Sequence, residues 1–194
     1  MNWYLENGKD SDVILSSRIR FARNIKEFPF KIRMTKQDRE KMLEKIKFVT
    51  PSIGYGLKFM YLKDMDDITK MALVEKHIIS PEMALAKEEE AILINDEENI
   101  CVMINEEDHM RIQVFSSGLE LKETLNLAIE LDEKLNELLG FSYKEEYGFL
   151  TACPTNVGTG LRASVMVHLP ALKITGNLSK VLHIVNNFGM TIRG

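Results

Sequence analysis

The stretch AILINDEENICVMI, residues 91–104, decides the fold class of this sequence. Two short apolar runs, Ala91 to Ile94 and Ile100 to Ile104, flank a polar turn from Asn95 to Asn99. Short apolar runs separated by a few turn-forming residues are typical of a β-hairpin. Both runs are apolar throughout, so both strands are predicted to be buried. The centre of the protein is therefore expected to contain antiparallel strands.

Helices and strands are predicted to alternate on both sides of this hairpin. Apolar residues at helical spacing predict a helix from its N-cap Thr35 to Val49, with Pro51 beyond its end, and a long helix from Gly118 to Leu139. The same reasoning predicts helices at 64–78, 161–172 and 178–188, and strands at 57–62, 111–115, 147–151 and 190–193. Helices interleaved with strand pairs favour an α+β fold, with a largely antiparallel sheet flanked by helices, over a doubly wound parallel fold.

The composition narrows the class of protein. The 194 residues carry a formal net charge of -4, and 45% of them are hydrophobic, which fits one domain spanning residues 1–194. The sequence has no apolar run near the roughly 20 residues that span a bilayer, and it starts without a secretory signal pattern. Two cysteines are too few for a disulfide framework. We therefore predict a cytoplasmic protein that contacts neither membrane nor, given its mild acidity, nucleic acid directly.

The first segment with candidate chemistry is Ser16 to Arg23. In a strand, Arg18 and Arg20 project from the same face, because side chains alternate. Two guanidinium groups on one face can hold a polyphosphate through forked, charge-assisted hydrogen bonds. Taken alone, this pattern is better interpreted as a solvated basic strand face.

The second segment, Asn105 to Arg111, follows the buried hairpin directly. It combines three consecutive acids with an imidazole and a guanidinium, a mixture that a simple polar turn does not explain. A carboxylate there can orient a cationic substrate or accept its proton, and Arg111 can neutralise phosphate. His109 receives no catalytic role, because a histidine in such a place is more often structural.

The third segment, Thr151 to Arg162, is predicted to lead from a strand through a loop with two glycines into a helix. Backbone N–H groups in such a loop can cradle an anion at the helix N-terminus, and Cys153 can react there as a thiolate. The loop is not a Walker A motif, and a buried cysteine in a tight turn is the alternative interpretation. Together the three segments suit phosphoryl transfer from a nucleotide.

All three segments resemble motifs of the phosphagen (ATP:guanido) kinases. Residues 105–112, NEEDHMRI, resemble the family's NEEDHxR motif, and residues 153–160, CPTNVGTG, resemble its cysteine signature. Residues 17–20, SRIR, resemble its early arginine motif. The motifs are in the family's order, and the resemblance runs from about Asp12 to Gly194. It implies the glutamine-synthetase-like catalytic domain of the phosphagen kinases.

The resemblance also implies roles for individual residues. Glu107 would hold the substrate guanidinium and act as the catalytic base, and Cys153 would orient the same group as a thiolate. The nucleotide-binding residues would be Arg18, Arg20, Arg111 and Arg162, which clamp the phosphates, together with His77. The implied cofactors are ATP and Mg²⁺, with the metal bridging the phosphates and no protein residue assigned to it.

The implied substrate is an arginine side chain of a protein. Residues 15–20, 74–77, 160–166 and 168–172 are most similar to the bacterial protein arginine kinase branch of the family. Only 15 residues precede Ser16, which leaves no room for the small helical domain that small-guanidine kinases close over their substrate. The strand predicted to begin at Met190 is cut off at Gly194, so we expect the N-terminal portion of a longer kinase.

Two alternatives stay open at this point. One is a kinase for a small guanidino metabolite such as free arginine, and the other is a non-catalytic nucleotide-binding or adaptor fragment. The partners implied by the resemblance are a heat-shock repressor as substrate, a zinc-containing activator protein and a Clp-type ATPase. An exposed sheet surface would also favour a homo-oligomer.

Overall fold

A six-stranded antiparallel sheet forms the centre of the computed structural model, which describes residues 2–85 and 89–193. In spatial order the strands are β2 (Lys58–Tyr61), β3 (Ala91–Ile94), β4 (Ile100–Ile104), β5 (Met110–Ser117), β1 (Ile14–Arg23) and β8 (Leu161–Val167). A second sheet pairs β6 (Tyr143–Lys144) with β7 (Gly148–Phe149). The hairpin predicted at residues 91–104 is confirmed, with Ala91 opposite Ile104, and so is the α+β class.

The described helices are α1 (Lys36–Ile53), α2 (Asp67–Glu75), α3 (Pro81–Ala84), α4 (Leu121–Leu139), α5 (Pro170–Ile174) and α6 (Leu178–Asn187). Thr35 caps α1 as predicted: its side chain accepts from the N–H of Asp38, and the Asp38 carboxylate accepts from the N–H of Thr35. The predicted end of α1 is wrong, because the helix continues through Pro51. Gly54 then ends it at a φ of 86°.

The two faces of the sheet pack against different helices. One face meets α1 and α4 in the larger core, in which Ile19, Ile46, Val102 and Leu131 are buried. On the opposite face, α2 and α3 cover only β3 and β4, through residues such as Leu73 and Met103. Within the two hydrophobic cores of the described residues, no helix packs on the part of that face formed by β5, β1 and β8, although the Trp3 ring stacks on Phe115 of β5 with ring centres 5.2 Å apart. The arginines lie on this part of the face.

The helix predicted at residues 161–172 is wrong. Leu161 to Val167 forms β8, which pairs with β1 so that Ala163 lies opposite Ile19. Pro170 occupies the first turn of the separate helix α5, where its missing N–H costs no hydrogen bond. Burial alternates from Leu161 to Val165, which shows the strand period that the run of small and apolar residues obscured.

Smaller differences concern the edges of elements. The helix predicted at 64–78 is a 3₁₀ turn at 62–64 followed by α2. The strand predicted at 147–151 is reduced to β7, and residues 190–193 adopt no regular structure. The helices predicted at 118–139 and 178–188 are confirmed as α4 and α6. Within the described residues, no helix is long and apolar enough to cross a membrane.

Candidate active site

A row of polar side chains crosses the uncovered part of the sheet. Arg20 on β1 lies opposite Gln113 on β5 and opposite Arg162 on β8, while Arg18 lies opposite Ser164. Directly opposed residues of an antiparallel pair lie on the same face. The three strands therefore bring arginines that are distant in sequence onto one surface.

A cleft of about 790 Å³ lies over this row. The residues with roles implied by the sequence all line it, namely Arg18, Arg20, His77, Glu107, Arg111, Cys153 and Arg162. The cleft is also lined by polar residues that sequence reasoning did not single out, among them Lys31, Glu90 and Gln113. Three motifs that are separated by up to about 140 residues thus meet at one surface.

The arginines make the cleft strongly attractive to anions. Burial, together with Arg111, Arg162 and Arg18, lowers the pKa of Arg20 to about 10, so that it stays cationic at neutral pH. Burial and Arg111 also lower the pKa of Arg18. The Nε atoms of Arg20 and Arg111 are buried without a hydrogen-bond partner among the described residues. A polyanion would relieve the repulsion and supply acceptors.

The acidic motif forms a tight loop between β4 and β5. Asn105 adopts a φ of 64°, and its N–H donates to the carbonyl of His109 at 3.0 Å. Asparagine tolerates this left-handed conformation better than most residues. The side-chain ammonium of Lys31 donates to the carbonyl oxygens of Asn105 and Glu106, and these hydrogen bonds stabilise the loop.

The two glutamates of this loop face different surroundings. An oxygen of Glu106 lies 2.6 Å from Nη1 of Arg111. Burial opposes ionisation of Glu106, but Arg111 and the N–H of Glu107 outweigh it and lower its pKa below the ordinary value. Glu107 is exposed at the cleft. Glu106 therefore neutralises an arginine, while the Glu107 carboxylate is accessible to a ligand.

The cysteine loop reaches the cleft beside Arg162. The Cys153 Sγ lies 3.1 Å from the Thr155 hydroxyl, which also accepts from Nη2 of Arg162 at 3.3 Å. The prediction that this loop leads into a helix is wrong, and anion binding by the loop stays a prediction. A strand follows it, and the Gly158 N–H donates to the Phe149 carbonyl at 3.2 Å.

Gly160 is needed for close packing of this loop. It has a φ of 62°, and a Cβ at this position would lie 2.6 Å from Nη1 of Arg23 and 2.8 Å from the Ala22 carbonyl. Both contacts are shorter than real Cβ atoms tolerate. The glycine therefore allows the loop to approach β1, which sets where Cys153 lies.

Asp108 connects the acidic loop to the cysteine loop. Its Oδ1 accepts from Nδ2 of Asn24 and from the backbone N–H of Ala152, both at 2.6 Å. Asp108 is 2% exposed. This buried carboxylate thus directly follows Glu107 and is hydrogen-bonded to the residue before Cys153. Sequence reasoning missed this role, because a third acid in a charged run carries no signal of burial.

His109 is structural, which agrees with the absence of a catalytic assignment. Its Nδ1 accepts from the Ile25 N–H at 3.0 Å, so the ring proton of the neutral form is on Nε2, which lies 2.8 Å from the Pro29 carbonyl. Burial lowers the pKa of His109, although the Pro29 carbonyl and Asp108 favour the cation.

This lowered pKa predicts a loss of stability in mild acid. Between the folded and the unfolded pKa of His109, the unfolded chain binds more protons, so the free energy of unfolding falls as the pH drops below about 6.5. The slope for one group is at most about 1.4 kcal/mol per pH unit. Urea denaturation at a series of pH values from 7.5 to 5.5 measures the slope of the free energy of unfolding against pH. The dependence should disappear in His109→Gln, and an unchanged slope would assign it to another group.

Comparison with known proteins identifies the family of this site. Residues 41–194 match the model of the ATP:guanido phosphotransferase C-terminal catalytic domain. The chain belongs to the ATP:guanido phosphotransferase family. The expectation from the three motifs is therefore confirmed, and the cleft occupies a catalytic domain of this family.

Relatives and solved structures give the same picture. The chain is 46% identical to a protein-arginine kinase of Halothermothrix orenii, over 100% of this chain and 56% of the relative. It is 44% identical to a protein-arginine kinase of Clostridium novyi, over 100% of this chain and 57% of the relative. A duplicated taurocyamine kinase from Schistosoma mansoni, bound to transition state analog components, superposes with a TM-score of 0.77 at 26% identity, over 94% of this chain and 27% of that one. The chain thus spans little more than half the length of these curated relatives.

Proposed function

We propose that this ATP:guanido phosphotransferase chain contributes the phosphate-binding and guanidinium-binding surface of a kinase that transfers the γ-phosphate of ATP to arginine side chains of proteins. The observation that carries the proposal is the single cleft lined by Arg18, Arg20, Arg111 and Arg162 together with Glu107 and Cys153. It combines cationic groups for a polyphosphate with an exposed carboxylate and a thiol for a guanidinium.

The residues that line the cleft are suited to binding a nucleoside triphosphate. The buried Nε of Arg111 lacks an acceptor among the described residues, and a phosphate oxygen would provide one. No group of three or more potential metal-ligating side chains occurs in the described part of the chain. Mg²⁺ would therefore be held mainly by phosphate oxygens and water, as is usual for this ion, and would neutralise part of the phosphate charge.

The chemistry assigned to the protein is mainly positioning and charge neutralisation. A guanidinium is a poor nucleophile, because it is always protonated and its lone pairs are delocalised. Glu107 would hold the guanidinium and accept the proton that it loses as the nitrogen–phosphorus bond forms. The bond between the γ-phosphorus and the bridging oxygen breaks, and ADP carries away the charge that the arginines stabilise.

Protein arginine is the favoured acceptor because the relatives that match the whole chain are named protein-arginine kinases. The test is to incubate the chain with MgATP and an arginine-rich unfolded protein, and to measure acid-labile phosphoarginine. Free arginine at the same guanidinium concentration is the matched alternative acceptor. Phosphorylation of free arginine in preference to the protein would favour the small-metabolite alternative, and nucleotide binding without any product would favour the non-catalytic one.

Cys153→Ser is expected to slow this transfer. The substitution keeps a hydroxyl near Thr155 but removes the sulfur assigned to the guanidinium, and a hydrogen bond to a charged group is worth roughly tenfold to a hundredfold in rate. The affinity for MgADP should stay unchanged, which calorimetry checks. Cys101→Ser is a control for the loss of a thiol away from the cleft, since Cys101 is fully buried under α2 and α3. Equal rates for Cys153→Ser and the original chain would remove this role.

Partners and location belong to the same proposal. A heat-shock repressor as substrate, a zinc-containing activator and a Clp-type ATPase follow from the resemblance to the protein arginine kinases. A cytoplasmic location is supported by both cysteines being free. Self-association stays a prediction and is measurable by analytical ultracentrifugation.

A further inference from the structure

Gln113 lies at the centre of the polar row and is not explained by the roles assigned above. It is 1% exposed and lines the cleft. Its Nε2 donates to the backbone carbonyl of Ile78 at 2.8 Å. Because a carbonyl can only accept, the amide nitrogen must face Ile78, and the amide oxygen is fixed on the other side.

Two complementary atoms are left without partners at this point of the sheet. Among the described residues, neither Oε1 of Gln113 nor Nε of Arg20 has a hydrogen-bond partner, and both atoms are buried. One is an acceptor and the other is a donor. Gln113 and Arg20 lie directly opposite each other on β5 and β1, a separation that long side chains bridge.

The neighbouring arginine differs in this respect. Nε of Arg18 already donates to the Ser164 hydroxyl at 3.2 Å. Arg18 thus has a protein acceptor that orients its guanidinium, whereas Arg20 has none. Burial and repulsion from Arg111, Arg162 and Arg18 outweigh attraction by Glu106 and lower the pKa of Arg20, so a bound polyanion would favour its charged form.

We propose that Gln113 is a positioning residue for Arg20: with a polyphosphate in the cleft, Oε1 of Gln113 accepts the Nε–H of Arg20. This bond directs the two terminal amino groups of Arg20 at the phosphate oxygens. The inference rests on the proposed function only in assigning a polyphosphate to the cleft. No group is transferred between Gln113 and Arg20, and neither changes its protonation state.

The amide nitrogen of Gln113 connects the proposed Gln113–Arg20 pair to the segment that contains His77. Ile78 follows His77, which has a φ of 59° and lines the cleft. The bond from Gln113 to the Ile78 carbonyl therefore joins the end of α2 to the arginine row. Through one side chain, the position of Arg20 is coupled to that of the histidine assigned to the nucleotide.

The test is a double-mutant cycle measured by calorimetry on the whole chain, with sodium tripolyphosphate and MgADP as probes. Gln113→Met keeps the size of the side chain but removes the acceptor, and Arg20→Lys keeps the charge but removes the Nε–H. Gln113→Met is expected to raise the Kd for tripolyphosphate about tenfold, the typical value of a hydrogen bond to a charged group. In the Arg20→Lys background the same change should have no further effect.

A second cycle gives the matched control. Gln113→Met combined with Arg18→Lys should be additive, because Arg18 already has its acceptor in Ser164. The only other glutamine in the sequence, Gln37, is exposed on α1. Gln37→Met should therefore leave the Kd values for tripolyphosphate and MgADP unchanged. If Gln113 had only a structural role, Gln113→Met would lower the thermal midpoint of unfolding but would show no coupling to Arg20→Lys.

The outcomes separate this inference from the proposed function. Additive effects in the Arg20 cycle, or failure of the original chain to bind either probe, would overturn the inference. Should Gln113→Met fail to fold, nitrogen-15 NMR of the unmodified chain decides, since tripolyphosphate must slow hydrogen exchange at the Arg20 Nε–H and an unchanged rate overturns the pairing. Coupling between Gln113 and Arg20 without any phosphoarginine product would instead retain the inference and remove the proposed function.

Discussion

Glu107→Gln is expected to lower the rate of phosphoryl transfer to protein arginine by about 10² to 10⁴-fold, the usual contribution of a positioned general base. The amide has the same shape as the carboxylate but can neither accept the guanidinium proton nor balance its charge. Glu107 is exposed at the cleft, so the change should leave stability nearly intact. Single-turnover formation of phosphoarginine with excess chain measures the effect on the chemical step.

The control for this prediction is Glu123→Gln. Glu123 is an exposed glutamate in the first turn of α4, the helix that packs on the opposite face of the sheet. It should retain the original transfer rate, and both variants should bind MgADP with the original affinity. A Glu107→Gln rate within threefold of the Glu123→Gln rate, about 0.7 kcal/mol in barrier height, would exclude Glu107 as the base.

Asp132→Asn is expected to lower the free energy of unfolding by about 3–5 kcal/mol, because it leaves a buried guanidinium without its counter-ion. Both carboxylate oxygens of Asp132 accept from Arg23 at 2.9 Å, and Arg23 is 2% exposed. Arg23 also donates to the Thr159 carbonyl at 2.8 Å and lies 3.7 Å from the centre of the Phe149 ring. Because Arg23 contacts the cysteine loop through Thr159, loss of its partner Asp132 should also disturb that loop. Urea denaturation followed by circular dichroism measures the loss.

Glu137→Gln on the same helix is the matched control. Its partner Lys134 lies 2.8 Å away, and the side chains of Glu137 and Lys134 are 69% and 39% exposed, respectively. Such pairs contribute about 0–1 kcal/mol, because water and salt screen the charges. If Asp132→Asn and Glu137→Gln shifted the denaturation midpoint equally, the buried pair would not have the importance assigned to it here.

Sequence reasoning predicted the fold best where one periodicity dominated. The apolar runs on either side of residues 95–99 indicate strands, and the leucine stripe of α4 indicates a helix. It failed at Leu161 to Val167, where small and apolar residues fit either period and pairing with β1 decides the outcome. Hydrogen bonds between distant segments determine such cases, and no local pattern contains them.

The candidate site divides in the same way. Glu107, Cys153 and the arginines were identifiable because their motifs are long and specific. Asp108 and Gln113 were not, since their importance comes from burial and from partners more than 30 residues away. The glycines of the cysteine loop were noticed but misinterpreted. Gly160 allows close packing on β1, while Gly158 has a φ of 109° and space for a Cβ, and only the contacts of the two glycines reveal this difference.

The two hydrogen bonds to Asp108 have a consequence for the tolerance of this chain to changes in loop length. Because one oxygen of Asp108 accepts from both Asn24 and Ala152, the loops that present Glu107 and Cys153 share an anchor. An insertion or deletion in either loop would displace one of the two groups relative to the other. The two loops, about 45 residues apart in the sequence, therefore depend on one carboxylate for their relative position.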